Sequence, residues 1–248
     1  NSSCDKGVNI IALPPNVRNI RIEQSYEEST ESLEDLIEGV YWGNNASDVR
    51  LALPALKEIH LPEHSVEYDG DSFSSYKENQ YPRFIGLEYY NAQSLNVPEG
   101  WAVFISSETL KSLKLNGKCA LSLDGCRINC PNLEDLVLND EIRHICGNIN
   151  CLSLKTLELP EKLIRLASEI NCNIETLTIP ENVSDIYSSS FGDLKTLYFK
   201  PLMPPAIYGG LEYGLKNFDV TIYVPSMSWE RYIRNEFFKN LGPLPYDF

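Results

Sequence analysis

The tripeptide Ile-Asn-Cys occurs three times, at 128–130, 149–151 and 170–172, and successive copies lie 21 residues apart. A longer apolar pattern, L-x-x-L-x-L with other apolar residues as substitutes, recurs in step with it. Its copies begin at residues 92, 110, 133, 154, 174 and 194. Such a repeat predicts a solenoid, because one unit of this length buries its apolar side only by stacking against its neighbours.

The last two apolar residues of each unit lie two positions apart, which predicts a strand that turns both of them to one face. Two of these strands are followed directly by Pro160 and Pro180. Proline removes a donor from the hydrogen-bond ladder, so it marks the position where the strand ends. We therefore expect short parallel strands on one face of the solenoid and irregular or extended segments on the other.

Cys130, Cys151 and Cys172 fall two or three residues before the apolar pattern of the next unit. Because they share one phase of the repeat, we expect them to form a structural column at the turn that enters the strand. Cysteine packs there as a small buried hydrophobe, and the preceding asparagine is predicted to hydrogen-bond turn backbone. Packing accounts for the even spacing better than a metal site does. The sequence does not decide whether Cys126 and Cys146 form a disulfide.

The repeat runs through most of the chain, which predicts a single domain over residues 1–248. Its parts are N-terminal repeats at 9–62 with a helical insertion at 25–40, an irregular tyrosine-rich insertion at 63–91, regular repeats at 92–200 and a C-terminal cap at 201–248. Solenoids expose apolar faces at both ends unless these are covered. Amphipathic helices are predicted as covers, one at 25–40 and one near the C-terminus. The second carries a stripe of Trp229, Tyr232, Ile233 and Phe237.

Two segments carry a resemblance to a known family. The stretch LKTLELPEKLIRLASEINCNIETLTIPENVSDIYSSSFGDLKTLYF at 154–199 resembles the BspA-like leucine-rich repeat family, and VTIYVPSMSWERYIRNEFFKNL at 220–241 is similar to the terminal cap of its members. The resemblance covers about 92–240, and 9–62 more loosely. It implies a β-rich (α/β) solenoid, a right-handed leucine-rich repeat superhelix with parallel strands and helical caps. It also implies a bacterial surface or secreted protein used in adhesion or protein binding, without catalytic residues.

Net charge and hydropathy exclude some classes of binding partner. The formal net charge is −14 and the pI is near 4.7, which argues against nucleic acid and anionic membranes, since both attract basic patches. No apolar run reaches the ~18–20 residues that span a bilayer. Cys4, in Ser-Ser-Cys-Asp, is a candidate lipid anchor. We expect a monomer located outside the cell or on its outer surface.

One motif favours an enzyme instead. His60, Glu63 and His64 fit the H-x-x-E-H pattern of zinc hydrolases. That chemistry needs both histidines on one helical face, but Pro62 lies inside the motif, where a helix interior is destabilised by about 3 kcal/mol. We therefore predict no enzymatic activity, no cofactor and no metal. A metal-dependent hydrolase at this motif and a purely structural envelope component remain the alternatives.

The outward strand positions are the predicted binding surface. From the repeat phase they include His60, Asn96, Lys114, Glu158, Thr178 and Tyr198. The tyrosine-rich insertion and its surroundings add aromatic candidates at Tyr89, Tyr90 and Trp101. The sequence thus predicts a non-enzymatic adhesion module that engages a protein or glycan, which for a surface protein of this family can be host-derived.

Overall fold

A computed structural model describes the part of the chain that carries the regular repeats almost completely. The described residues are 10–11, 19–21, 50–52, 58–60, 83–88, 92–118, 120–121, 126–188, 190–211, 215 and 219–248. The predicted helical insertion at 25–40, the candidate anchor Cys4 and the candidate residues Tyr89 and Tyr90 lie outside them.

Short strands make up most of the regular structure in these residues. In chain order they are β1 (Ile10–Ile11), β2 (Asn19–Arg21), β3 (Arg50–Ala52), β4 (Glu58–His60), β5 (Arg83–Glu88), β6 (Ser94–Val97), β7 (Trp101–Ser106), β8 (Ser112–Leu115), β9 (Arg127–Asn129), β10 (Asp135–Leu138), β11 (His144–Ile145), β12 (Asn148–Cys151), β13 (Arg165–Leu166), β14 (Ile170–Cys172), β15 (Thr176–Ile179), β16 (Asp185–Tyr187), β17 (Thr196–Phe199), β18 (Ala206–Tyr208), β19 (Thr221–Pro225) and β20 (Leu244–Tyr246).

The strands stack in parallel into three walls. The L-x-x-L-x-L strands form the first wall, here called the strand face, in the ladders β2-β4, β6-β8-β10 and β15-β17-β19-β20. The second wall is β11-β13-β16-β18, and the third is β1-β3-β5-β7-β9-β12-β14. The predicted parallel solenoid is therefore confirmed. Strands also occupy the sides that we expected to be irregular or extended.

The Ile-Asn-Cys copies are strands of the third wall. Ile149 lies opposite Ile128 on one side and opposite Ile170 on the other, and Cys151 lies opposite Cys172. The backbone N–H of Cys130 donates to the carbonyl of Asn150 over 3.0 Å. The three cysteines thus follow one another in register, and all three are buried. They lie within or directly after strands, whereas the sequence placed them at a turn.

The asparagines of these copies form a side-chain ladder. Asn150 Nδ2 donates to Asn129 Oδ1 over 2.6 Å, and Asn171 Nδ2 donates to Asn150 Oδ1 over 3.0 Å. We predicted that these asparagines hydrogen-bond turn backbone, and for these side-chain bonds that was wrong. Each asparagine lies in or at the end of a strand with its side chain on the outer face, where it meets the equivalent asparagine of the next turn. The central amide, Asn150, donates through its nitrogen and accepts through its oxygen, so the ladder specifies the register as well as adding bonds.

The core runs along the axis between the walls. Inward residues from every wall are fully buried, including Leu113, Ile128, Leu166, Ile186 and Leu197. Burying one such side chain stabilises the fold by about 1.5–3 kcal/mol. Because equivalent side chains meet in successive turns, the core is a set of continuous columns.

The predicted helix of the C-terminal cap is shorter than expected. This helix, α1, spans only Trp229–Arg234, and single 3-10 turns lie at Ser226–Ser228 and Phe238–Asn240. The helix ends because Asn235 is extended, with ψ 135°. Within the described ranges no helix has the length and apolar character needed to cross a bilayer.

The cap nevertheless covers the last turn. Tyr232 and Phe238 are buried against Phe199, with ring centroids 6.3 and 5.0 Å away, and the Tyr232 hydroxyl donates to the Pro201 carbonyl over 2.8 Å. The interface is aromatic and closes the open end of the columns.

The asparagine ladder gives a matched pair of substitutions. We expect Asn150→Ala to lower the free energy of unfolding by about 1–2 kcal/mol, because it removes two side-chain hydrogen bonds, and Asn171→Ala by roughly half as much, because it removes one. Urea unfolding of both variants measures the difference. Equal losses would contradict the ladder.

Buried thiols make stability pH-dependent. Burial raises the pKa of Cys130 from an ordinary 9.0 to about 12. Above pH 9 the unfolded state loses a proton that the folded state keeps, so stability falls as the pH rises. Between pH 8.5 and 10.5 we expect the wild type to lose about 2 kcal/mol more than Cys130→Ala in urea unfolding. Identical pH slopes would show that Cys130 is not buried.

Candidate binding surface

The outward residues of the strand face form two columns, one in the ladder β6-β8-β10 and one in the ladder β15-β17-β19. Asn96 lies opposite Lys114, and Lys114 lies opposite Val137. Further along, Thr178 lies opposite Tyr198, which lies opposite Tyr223. The structure therefore brings the predicted contact residues together as two pairs, Asn96 with Lys114 and Thr178 with Tyr198. They project outward because alternate positions of each strand are buried.

The remaining candidates are placed differently. Glu158 is exposed and lines the same groove as Val137 and Thr178. His60 ends β4, on the same face at its N-terminal side. Trp101 is wrong as a contact residue, because it is 0% exposed and belongs to the core. Trp101 shares its position in the repeat with other core residues, and that position predicts its burial correctly.

A groove interrupts the strand face between β10 and β15. The segment 155–159 carries the same apolar pattern as its neighbours but forms no strand, and its backbone makes no backbone hydrogen bond with any described residue. The groove above it has a volume of about 1020 Å³. The wall also loosens there, since Leu136, Leu138, Leu157 and Leu159 are 6–9% exposed whereas Leu113 and Leu197 are 0%.

The groove is acidic. Its lining includes six carboxylates, at Glu134, Asp135, Asp140, Glu158, Glu161 and Glu181, against the two lysines Lys162 and Lys200. Lys162 is already engaged by Glu141, whose pKa is lowered by the hydrogen bond from that lysine. Glu134 is paired with Lys111 over 2.6 Å. The negative charge therefore exceeds the positive charge that the structure places around it.

An aromatic cluster lies at the C-terminal end of the same face. It consists of Tyr198, Tyr223, Tyr246 and Phe248. The Tyr198 and Tyr223 rings are stacked, with centroids 5.0 Å apart and planes 15° apart. Tyr246 meets both edge-on, at 5.1 and 5.6 Å, and Phe248 lies 5.0 Å from Tyr246. Sequence reasoning missed this cluster because three of its members follow the regular repeats.

The described residues give no support to the zinc-hydrolase alternative. His60 ends a strand, whereas the motif requires a helix, and Glu63 and His64 lie outside the described residues. Elsewhere in the described ranges, no group of three His, Cys, Asp or Glu side chains is arranged to hold a metal ion.

The register also separates the two cysteines whose pairing stayed open. Arg127 lies opposite Asn148, so Cys126 falls opposite Gly147 and not opposite Cys146. A Cβ at Gly147 would lie 2.7 Å from the Cys126 Cβ, so the glycine leaves room for a buried cysteine.

Comparison with known proteins agrees with this architecture. Residues 88–200 match the family model described as BspA type leucine rich repeat region, in six copies. No curated protein matches the chain. Leucine-rich repeat solenoids are typically non-enzymatic binding scaffolds, and proteins with BspA-type repeats are typically secreted or surface-located in bacteria and often mediate protein interactions there. The resemblance seen in the sequence is therefore confirmed over residues 88–200.

Proposed function

We propose that the protein is a non-enzymatic adhesion module, secreted or held on the outer surface of a bacterial cell, that captures a protein partner through the strand face. The observation that carries this proposal is the aromatic cluster. Tyr246 and Phe248 are 42% and 55% exposed, and Leu244 beside them is 46% exposed. Contiguous exposed apolar groups of this kind typically mark interaction sites.

The cluster is suited to act as a binding hot spot. Tyrosine offers a large contact area with few rotatable bonds, and aromatic residues supply much of the binding energy in protein interfaces. The rings already contact one another, so little side-chain freedom remains to be lost on binding. Their burial is not needed for the core, which Phe199, Tyr232 and Phe238 close beneath them.

A protein fits this surface better than a glycan. A sugar ring stacks on an aromatic face, but Tyr198 and Tyr223 each use one face to stack on the other. The rings therefore offer a partner both aromatic surface and hydroxyl groups, which suits side chains of mixed polarity. A glycan partner remains the second candidate, and a purely structural envelope role the third.

A binding screen with a matched control tests the proposal. The whole protein is screened against extracellular matrix proteins and mucin glycans, and the captured ligand is titrated against variants. We expect Tyr198→Ala to weaken binding at least tenfold, which corresponds to ~1.4 kcal/mol. Tyr187→Ala is the control, because Tyr187 stacks on Tyr208 with similar geometry, 4.4 Å and 12°, but lies in the second wall. This variant should bind as the wild type does.

Three results would contradict the proposal. Capture that survives both Tyr198→Ala and Tyr223→Ala would exclude this surface. Silence against every protein and glycan would favour the structural role. A stoichiometric metal ion in protein purified without added zinc would favour the hydrolase at His60, Glu63 and His64.

A further inference from the structure

We propose that the strand face takes an extended polypeptide segment with two chemistries, lysine or arginine residues over the acidic groove and apolar residues over the aromatic cluster. This inference rests on the proposed function and specifies the partner of the same face.

The open ladder supplies the first argument. Segment 155–159 makes no backbone hydrogen bond with the described residues, and the ladders on either side stop at β10 and β15. The peptide groups at the groove floor therefore have no backbone partner among the described residues. Backbone carbonyls accept hydrogen bonds from ammonium and guanidinium groups, and charged donors make the stronger bonds. The floor also carries the hydroxyls of Thr156, Thr176 and Thr178.

Charge complementarity supplies the second argument. Asp140, Glu158, Glu161 and Glu181 line the groove, and none of them forms an ion pair with another described side chain. All four are exposed. Like charges gathered along one groove attract cationic groups and speed their association. Four carboxylates without an ion-pair partner in one groove favour a segment with several cationic residues over one with a single cation.

Continuity supplies the third argument. Lys200 lines the end of the groove, and its Nζ lies 5.9 Å from the centroid of the Phe248 ring. The groove and the aromatic cluster therefore share a border. From β10 to β20 the face crosses five strand-to-strand steps, three of them between paired strands. At the ~4.8 Å of a paired ladder this is at least about 24 Å, which an extended segment spans with at least roughly seven or eight residues. One short segment can contact both regions.

Peptide selection tests this inference without a known partner. A phage-displayed library of random 12-residue peptides is panned on the whole protein and on variants. We expect the wild type to enrich peptides that combine Lys or Arg with Trp, Tyr, Phe or Leu. A synthetic copy of the most enriched peptide should lose at least tenfold in affinity between 50 and 500 mM salt, because exposed charge pairs are screened.

Two sets of variants separate the two chemistries. Glu158→Lys with Glu181→Lys should abolish enrichment of basic residues. Glu108→Lys with Asp193→Lys is the matched control, because both carboxylates are exposed, lie outside the groove and change the net charge equally. Selection on this control should equal that on the wild type. Tyr246→Ala with Phe248→Ala should keep the basic residues and lose the apolar ones.

Several outcomes would overturn the inference: no enrichment on the wild type, enriched peptides without basic residues, or equal loss in the groove variant and its control. If any of these occurred while the protein screen still yielded a partner lost in Tyr198→Ala, this inference would fail and the proposed function would stand. If the screen yielded no such partner but peptides bound as expected, the peptide chemistry of the face would stand and the adhesion role proposed for it would fail.

Discussion

The structure depends on the in-register pairing of equivalent residues in successive turns. Ile128, Ile149 and Ile170 meet inside the third wall, while Asn129 and Asn150 meet on its outer side. Because side chains alternate along a strand, a slip of one residue would turn the asparagines inward and the isoleucines outward. The apolar columns and the amide ladder therefore favour the same register. Agreement of this kind keeps a repeat of about 21 residues uniquely stacked.

This pairing leaves the outward positions free to differ. The inward columns are mostly apolar, with a few buried polar residues such as His144 and Ser168, whereas the strand face changes from Asn96 and Lys114 to Thr178 and Tyr198 along its length. Binding chemistry can vary there without disturbing the core. An acidic groove and an aromatic cluster on one wall are two such variations, joined at Lys200.

The core was predictable from sequence because burial follows the repeat phase. That phase identified the cysteine column, and it also marked Trp101 as a core residue despite its aromatic character. The sequence does contain a sign of the asparagine ladder, because asparagine occupies the same position in three successive repeats. Asparagine is so common in turns, however, that we assigned these positions to turns and not to strands. Asn235 ended the cap helix early without any proline or glycine to announce it.

The binding surface was only partly predictable. Asn96, Lys114, Thr178 and Tyr198 follow from strand alternation. The groove does not, because 155–159 has the apolar pattern of a normal strand and yet joins no ladder. The aromatic cluster depends on how β19 and β20 add to the ladder, and these strands lie beyond the regular repeats.

Contacts between the methyl groups of isoleucines one turn apart measure the register directly. In a methyl-labelled sample, nuclear Overhauser spectra should show cross-peaks joining Ile149 to both Ile128 and Ile170. Cross-peaks from Ile149 to residues displaced from these positions, or none to residues 21 places away, would contradict the stacked solenoid and every conclusion built on it.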